Sequence, residues 1–201
     1  GGIWSTRQVT AQGFEQTFGV NHLGPFFLTR LLLARLRASA PSRVVSVSSF
    51  GHHFAPLGMR FDDLQTERGY VALEAHSRSK LANVLFTREL ARRLQGTGVT
   101  ANAVHPGAVR SGFGMDGDLR GISGWGNRII RHVEISARAG ARTSLHLATA
   151  PELADRSGGY WARSKPGHMS RQARSGRAAE RLWQVSEELV TGAGFVVPPV
   201  F

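Results

Sequence analysis

The sequence predicts an α/β fold, a parallel sheet with helices on its faces. Three observations predict it. Long segments with apolar residues three and four apart alternate with short β-branched runs. They come in the order helix, strand, helix, strand, helix, strand, helix, and right-handed crossovers lay such helices on the faces of the sheet. The chain has 201 residues, 41% of them apolar, enough for one sizeable core, and neither an internal repeat nor a clear linker divides it.

The elements follow in order. A helix is expected over about 13–38, where Phe14, Phe18, Val20, Leu23, Phe26, Phe27, Leu31, Leu32 and Leu36 mark one broad apolar face. Ala40, Pro41 and Ser42 break it. Residues 43–48, RVVSVS, suit a buried strand. Residues 50–69, with Gly51, Pro56 and Gly58, read as a loop. A second helix over about 73–94 carries the stripe Leu81, Val84, Leu85, Leu90 and Leu94, and Gly96 and Gly98 end it. VTANAV at 99–104 is the next strand, stopped by His105, Pro106 and Gly107. A glycine-rich loop spans 107–126. A helix over about 136–149 follows, then a short strand near 159–162 and a last helix over about 178–190, where Trp183 reads as packing or a subunit contact. The apolar tail, 191–201, folds over a neighbour or frays.

Composition narrows the function. Lys plus Arg number 25 against 14 acids, a formal charge of +11. Only Lys80 and Lys165 are lysines. The cluster Arg163, Lys165, Arg171, Arg174, Arg177 and Arg181 reads as a solvated face, and no nucleic-acid-binding motif accompanies it. The expectation is an arginine-rich surface and no nucleic-acid partner. Zero cysteines exclude disulfides, cysteine nucleophiles and cysteine-ligated zinc, and suit a reducing cytoplasmic setting. No apolar run reaches the roughly 18 residues of a membrane span, and GGIWSTRQV lacks the features of a signal peptide. His52 and His53 read as surface-loop histidines, because adjacent side chains diverge and no third metal ligand has helpful spacing.

Four stretches fall into one register: FGVNHLGPFFLTRLLL, RVVSVSS, HSRSKLANVLFTRELARRL and GVTANAVHPGAV. Together they resemble the short-chain dehydrogenase/reductase family, and within it the retinol-dehydrogenase-like subgroup. SKLANVLFTRELARRLQGTGVT is the most specific stretch, and the resemblance runs from residue 2 to about 190. It implies a Rossmann-like parallel sheet with flanking helices. It implies a nicotinamide cofactor, NAD or NADP, across the carboxyl ends of the strands. The implied reaction interconverts a small hydrophobic alcohol with its aldehyde or ketone.

The resemblance also assigns roles. Asn21, in VNHLGP, holds a helix kink and a proton-relay water. Ser49 hydrogen-bonds the substrate oxygen. Lys80 binds the nicotinamide ribose and lowers the pKa of a catalytic tyrosine. Pro106, Gly107 and Val109 line the nicotinamide pocket with backbone, and Ser111 offers a hydroxyl to the carboxamide. The chemistry is coherent in its own right. Hydride transfer to a carbonyl makes an alkoxide, which needs an oxygen-binding donor and a proton source. A lysine four residues after the acid/base lies one helical turn on, on the same face.

Two departures matter. The tyrosine position of the family motif holds His76, in HSRSK, and the only tyrosines, Tyr70 and Tyr160, have other spacings. A histidine can serve as acid or base at neutral pH. An imidazole is shorter than a phenol, however, and a misplacement of about 1 Å costs on the order of a hundredfold in rate. The Lys80 ammonium would also disfavour the imidazolium. The second departure is that the 201 residues contain no TGxxxGxG turn for the pyrophosphate. Gly2 matches the last residue of the family's NNAG segment at the end of the fourth strand. Gly121, Gly124 and Gly126 imitate a phosphate turn, but no strand precedes them, so they read as a substrate-side loop. The expectation is one partial domain, 1–201, lacking the first strands of the doubly wound fold. Family membership implies an oxidoreductase. The alternative is an inactive truncated homologue or partner-binding fragment, whose exposed strand edge invites association or a homo-oligomer.

Overall fold

A computed structural model describes residues 1–109 and 135–200. The expectations for Ser111, Gly121, Gly124 and Gly126 therefore lie outside the described residues. The first helical stretch comprises α1 (Gln16–Phe18), a π-turn (Gly19–Leu23) and α2 (Gly24–Ala38). Strand β1 (Ser42–Val47), a 3₁₀ turn (Phe50–Phe54), α3 (Ala72–Arg93) and β2 (Val99–His105) follow. After the undescribed segment come α4 (Ala137–Thr149), β3 (Tyr160–Ala162), β4 (Lys165–Pro166) and α5 (Gly176–Gly192).

The sheet order is β1-β2-β3-β4. The first three strands are parallel, with Val44 opposite Ala101 and Ala103 opposite Tyr160. The short β4 pairs antiparallel at one edge. Sequence reading missed it, since two residues carry no periodicity. Among the described residues β1 is the other edge, paired only with β2.

Two apolar layers sandwich the sheet. One joins Phe26, Leu81, Leu85, Leu90, Leu182 and Trp183, from α2, α3 and α5, to Ala101 and Ala103 of β2. The other packs Leu147 of α4 and Leu153 on Val104 and Trp161. Helix α3 is buried on nearly all sides, which explains why its polar residues pair internally.

The first helix departs from its expected face. Val20, Leu31 and Leu32 are exposed, whereas Leu23, Phe26, Arg30 and Leu33 point inward. The cause is the π-turn, whose extra residue rotates everything after it out of a uniform 3.6-residue phase. Glu15 starts the helix by accepting from the Thr17 and Phe18 amides at 2.7 and 2.8 Å.

Other expectations change as well. Arg30 and Arg78 are buried, so the arginines are not all surface groups. Arg30 pairs with Glu187 and the Pro198 carbonyl, and its guanidinium lies 5.0 Å from the Trp183 ring centroid. His52 is fully buried, not a surface loop residue. The 3₁₀ turn tucks it inward, where Nδ1 donates to the Ser49 carbonyl at 2.7 Å and Nε2 accepts from the Ser170 amide at 3.2 Å. The described part of the tail packs on its own chain. Phe195 meets Phe27 at 5.1 Å, and Arg37 holds the Val200 carbonyl at 3.0 Å, so it lies along its own α2. Among the described residues no helix is long and apolar enough to cross a membrane.

Candidate active site

The carboxyl end of β1 leads into Ser48 and Ser49, and the site assembles there. Ser48 is buried and donates to the Lys80 carbonyl at 2.8 Å, fixing the strand end against α3. Ser49 caps the 3₁₀ turn, its Oγ accepting from the Gly51 amide at 3.1 Å. That bond leaves the hydroxyl proton to be donated elsewhere. A Cβ built on Gly51 would sit 3.4 Å from Ser49 Oγ and 3.7 Å from His76 Cδ2, so the two side chains flank one small space.

His76 and Lys80 lie one turn apart on α3, at 8% and 7% exposure. His76 Nδ1 donates to the Gly2 carbonyl at 3.3 Å. Burial and the nearby Lys80 ammonium push the imidazole down to about 4. Burial alone brings Lys80 down to about 8.

Asn21 sits in the π-turn. Its Oδ1 accepts from the Gly2 amide at 2.7 Å, and its Nδ2 donates to the Gly2 carbonyl at 2.8 Å and to Ser79 Oγ at 3.0 Å. Ser79 in turn donates to the His76 carbonyl at 2.7 Å. A Cβ on Gly1 would meet Asn21 Oδ1 at 2.5 Å and Lys80 Nζ at 3.2 Å, which places both atoms against the first residues of the chain.

The exit from β2 supplies a further wall. Pro106, Gly107 and Val109 are each half-buried. Gly107 has φ +97°, and a Cβ there would lie 2.8 Å from Ile135 Cδ1, so glycine is required. The Val109 side chain fills the space over Gly140 of α4, where a Cβ would come within 2.4 Å of it.

The structure thus brings Asn21, Ser49, His76 and Lys80 to the carboxyl end of β1. Sequence reading missed the polar residues that brace them: Ser48, Ser79, Asn83 and His22. Ser79 and Asn83 stand four apart in SKLAN, a same-face spacing that could have flagged them. No group of three metal-binding side chains occurs among the described residues.

Three buried histidines have a consequence for stability. Burial pushes His22, His52 and His76 each down to about 4 from an ordinary 6.5. The unfolded chain therefore takes up protons that the folded chain refuses as pH falls from about 6.5 to 4. Their contribution is complete above about 6.5 and is lost through that window. Thermal melts should show a Tm that drops progressively from pH 6.5 to 4. A flat Tm across the window contradicts neutral burial of these rings.

A family profile described as Enoyl-(Acyl carrier protein) reductase matches residues 4–150. Human retinol dehydrogenase 12 is 53% identical over 181 residues, which cover 90% of this chain and 56% of that protein. Human retinol dehydrogenase 14 is 45% identical over 188 residues, covering 90% and 54%. The chain thus spans a little over half the length of these relatives. A crystal structure of an uncharacterized protein from Mycobacterium paratuberculosis superposes with a TM-score of 0.72 at 33% identity, covering 98% of this chain and 66% of that one. The NADPH-bound carbonyl reductase from chicken fatty liver shares the fold, with a TM-score of 0.52 at 16% identity over 83% of this chain and 62% of that one. The matched span and the identity to these relatives establish that the chain belongs to the short-chain dehydrogenase/reductase family, in its retinol-dehydrogenase-like branch.

Proposed function

We propose that this chain carries the catalytic end of a nicotinamide-dependent oxidoreductase that interconverts a hydrophobic alcohol and its aldehyde or ketone. The observation that carries this reading is the convergence of Ser49, His76 and Lys80 around the carboxyl end of β1, with His76 and Lys80 one helical turn apart. The donor set fits the nicotinamide-ribose end of such a cofactor. Lys80 would hold the ribose, and the backbone of Pro106, Gly107 and Val109 would line the ring. When bound, the cofactor supplies the hydride acceptor or donor. The cofactor in this reading is NAD or NADP.

The chain's own residues handle the oxygen and the proton. Ser49 donates its hydroxyl hydrogen to the substrate oxygen, since Gly51 already occupies the oxygen's acceptor side. In the oxidation direction the alcohol proton passes to the His76 ring nitrogen that does not face Gly2. The Lys80 ammonium stabilises the developing alkoxide. Exposed Phe50, which follows Ser49, and Phe54, 5.7 Å from the Phe50 ring, favour an apolar substrate.

The depressed His76 supports a second reading, a homologue that has lost catalysis. At pH 7 a group that titrates near 4 is protonated in roughly one molecule in a thousand, a poor acid for reduction. Titrating a chimera that supplies the family's glycine-rich turn ahead of Gly1 with NADH and NADPH, while following dinucleotide fluorescence, tests the site. Binding of one dinucleotide, weakened about tenfold or more by Lys80→Met, is expected. Binding of neither, or no effect of Lys80→Met, overturns the cofactor assignment.

A further inference from the structure

Asn83 is 3% exposed and stands on α3, three residues after Lys80. Its Nδ2 donates to the Asn21 carbonyl at 3.0 Å and to the Val47 carbonyl at 3.0 Å. Both partners only accept, so the amide's NH₂ group must face them and Oδ1 must face away. Oδ1 lies 3.4 Å from His22 Nδ1. His22 Nε2 lies 2.9 Å from Ser186 Oγ of α5, which is also 2.7 Å from the Leu182 carbonyl. Ser186 Oγ gives its single hydrogen to the Leu182 carbonyl, so His22 donates to it from Nε2, and the two carbonyls alone set the amide's orientation.

Asn83 supplies the Asn21 carbonyl with a donor that an α-helix could not. The residue four positions on is Pro25, which has no N–H, so the regular helical partner is missing. Val47 is the last residue of β1, just before Ser48 and Ser49. One amide therefore reaches the turn that carries Asn21 and the strand end that carries Ser49. It does so from the helix that carries His76 and Lys80.

We propose that Asn83 is a positioning residue of the site, holding these three elements in one register. The coupling to His76 takes two steps. Asn21 is paired to Gly2 through both its amide atoms, and the Gly2 carbonyl accepts from His76 Nδ1. Releasing Asn83 lets the turn around Asn21 rewind, which moves Gly2 and takes the acceptor away from His76. The purpose of this register rests on the oxidoreductase reading; its geometry does not.

The test is imidazole ¹⁵N NMR on the 201-residue chain, comparing wild type with Asn83→Leu and Asn83→Ser. The wild type should show His76 protonated at Nδ1. Both variants should lose that signature, while His146, on α4 across the sheet, keeps its resonances. The nearly isosteric Asn83→Asp removes the NH₂ donor at constant volume and carries the test if the other two variants do not fold. An unchanged His76 signature in any folded Asn83 variant overturns the proposal. No turnover is required, so loss of the His76 signature alongside an inactive site would sink the oxidoreductase reading and leave the role of Asn83 standing.

Discussion

His76→Tyr should raise turnover of a hydrophobic aldehyde by roughly a hundredfold or more, in a chimera that supplies the family's glycine-rich turn ahead of Gly1. Two effects act together. A phenol extends the proton donor further toward the space beside Ser49. It also replaces a group pushed down to about 4 with one whose ordinary value near 10 the Lys80 ammonium lowers toward neutrality. The slot has room on the Gly51 side, since His76 Cδ2 stands 3.7 Å from where a Cβ on Gly51 would lie. Initial rates of NADH and NADPH oxidation measure the change. Equal rates for His76 and His76→Tyr would mean that the proton comes from another group.

Trp183→Ala should destabilise the fold by about 3–5 kcal/mol. Trp183 is 1% exposed. It stacks on Phe86 at 5.8 Å and meets Phe26 edge-on at 5.2 Å. It also lies 4.5 Å from the Arg93 guanidinium. Its removal leaves a cavity between α2, α3 and α5, and strips the buried Arg30 of the ring it covers. Against a domain stability of about 5–15 kcal/mol this is a large fraction. Denaturant unfolding should show the midpoint fall by a corresponding amount, and a loss below about 1 kcal/mol would contradict the packing described.

What the sequence made legible depends on how local each cause is. The β-branched run 43–48 and the glycine-ended stripe of 73–94 follow from neighbours in the chain, and both elements form within two residues of their expected bounds. The face of the first helix did not follow, because one π-turn at Asn21 shifts the phase of everything up to Ala38. His52 reads as a loop histidine until Ser170, 118 residues away, is brought to its ring. Lys80, Ser49 and Asn21 were visible as motif positions. Asn83 was not, since its meaning lies in carbonyls 62 and 36 residues distant.

The central claim is that this site moves a hydride between a nicotinamide and a hydrophobic carbonyl compound. Its most direct test uses dinucleotide deuterated at the transferring position of the nicotinamide ring, with the His76→Tyr chimera and a hydrophobic aldehyde. The account predicts an alcohol carrying deuterium on its former carbonyl carbon, from NADH or NADPH. A folded chimera that yields no alcohol from either dinucleotide, or alcohol without carbon-bound deuterium, would contradict it.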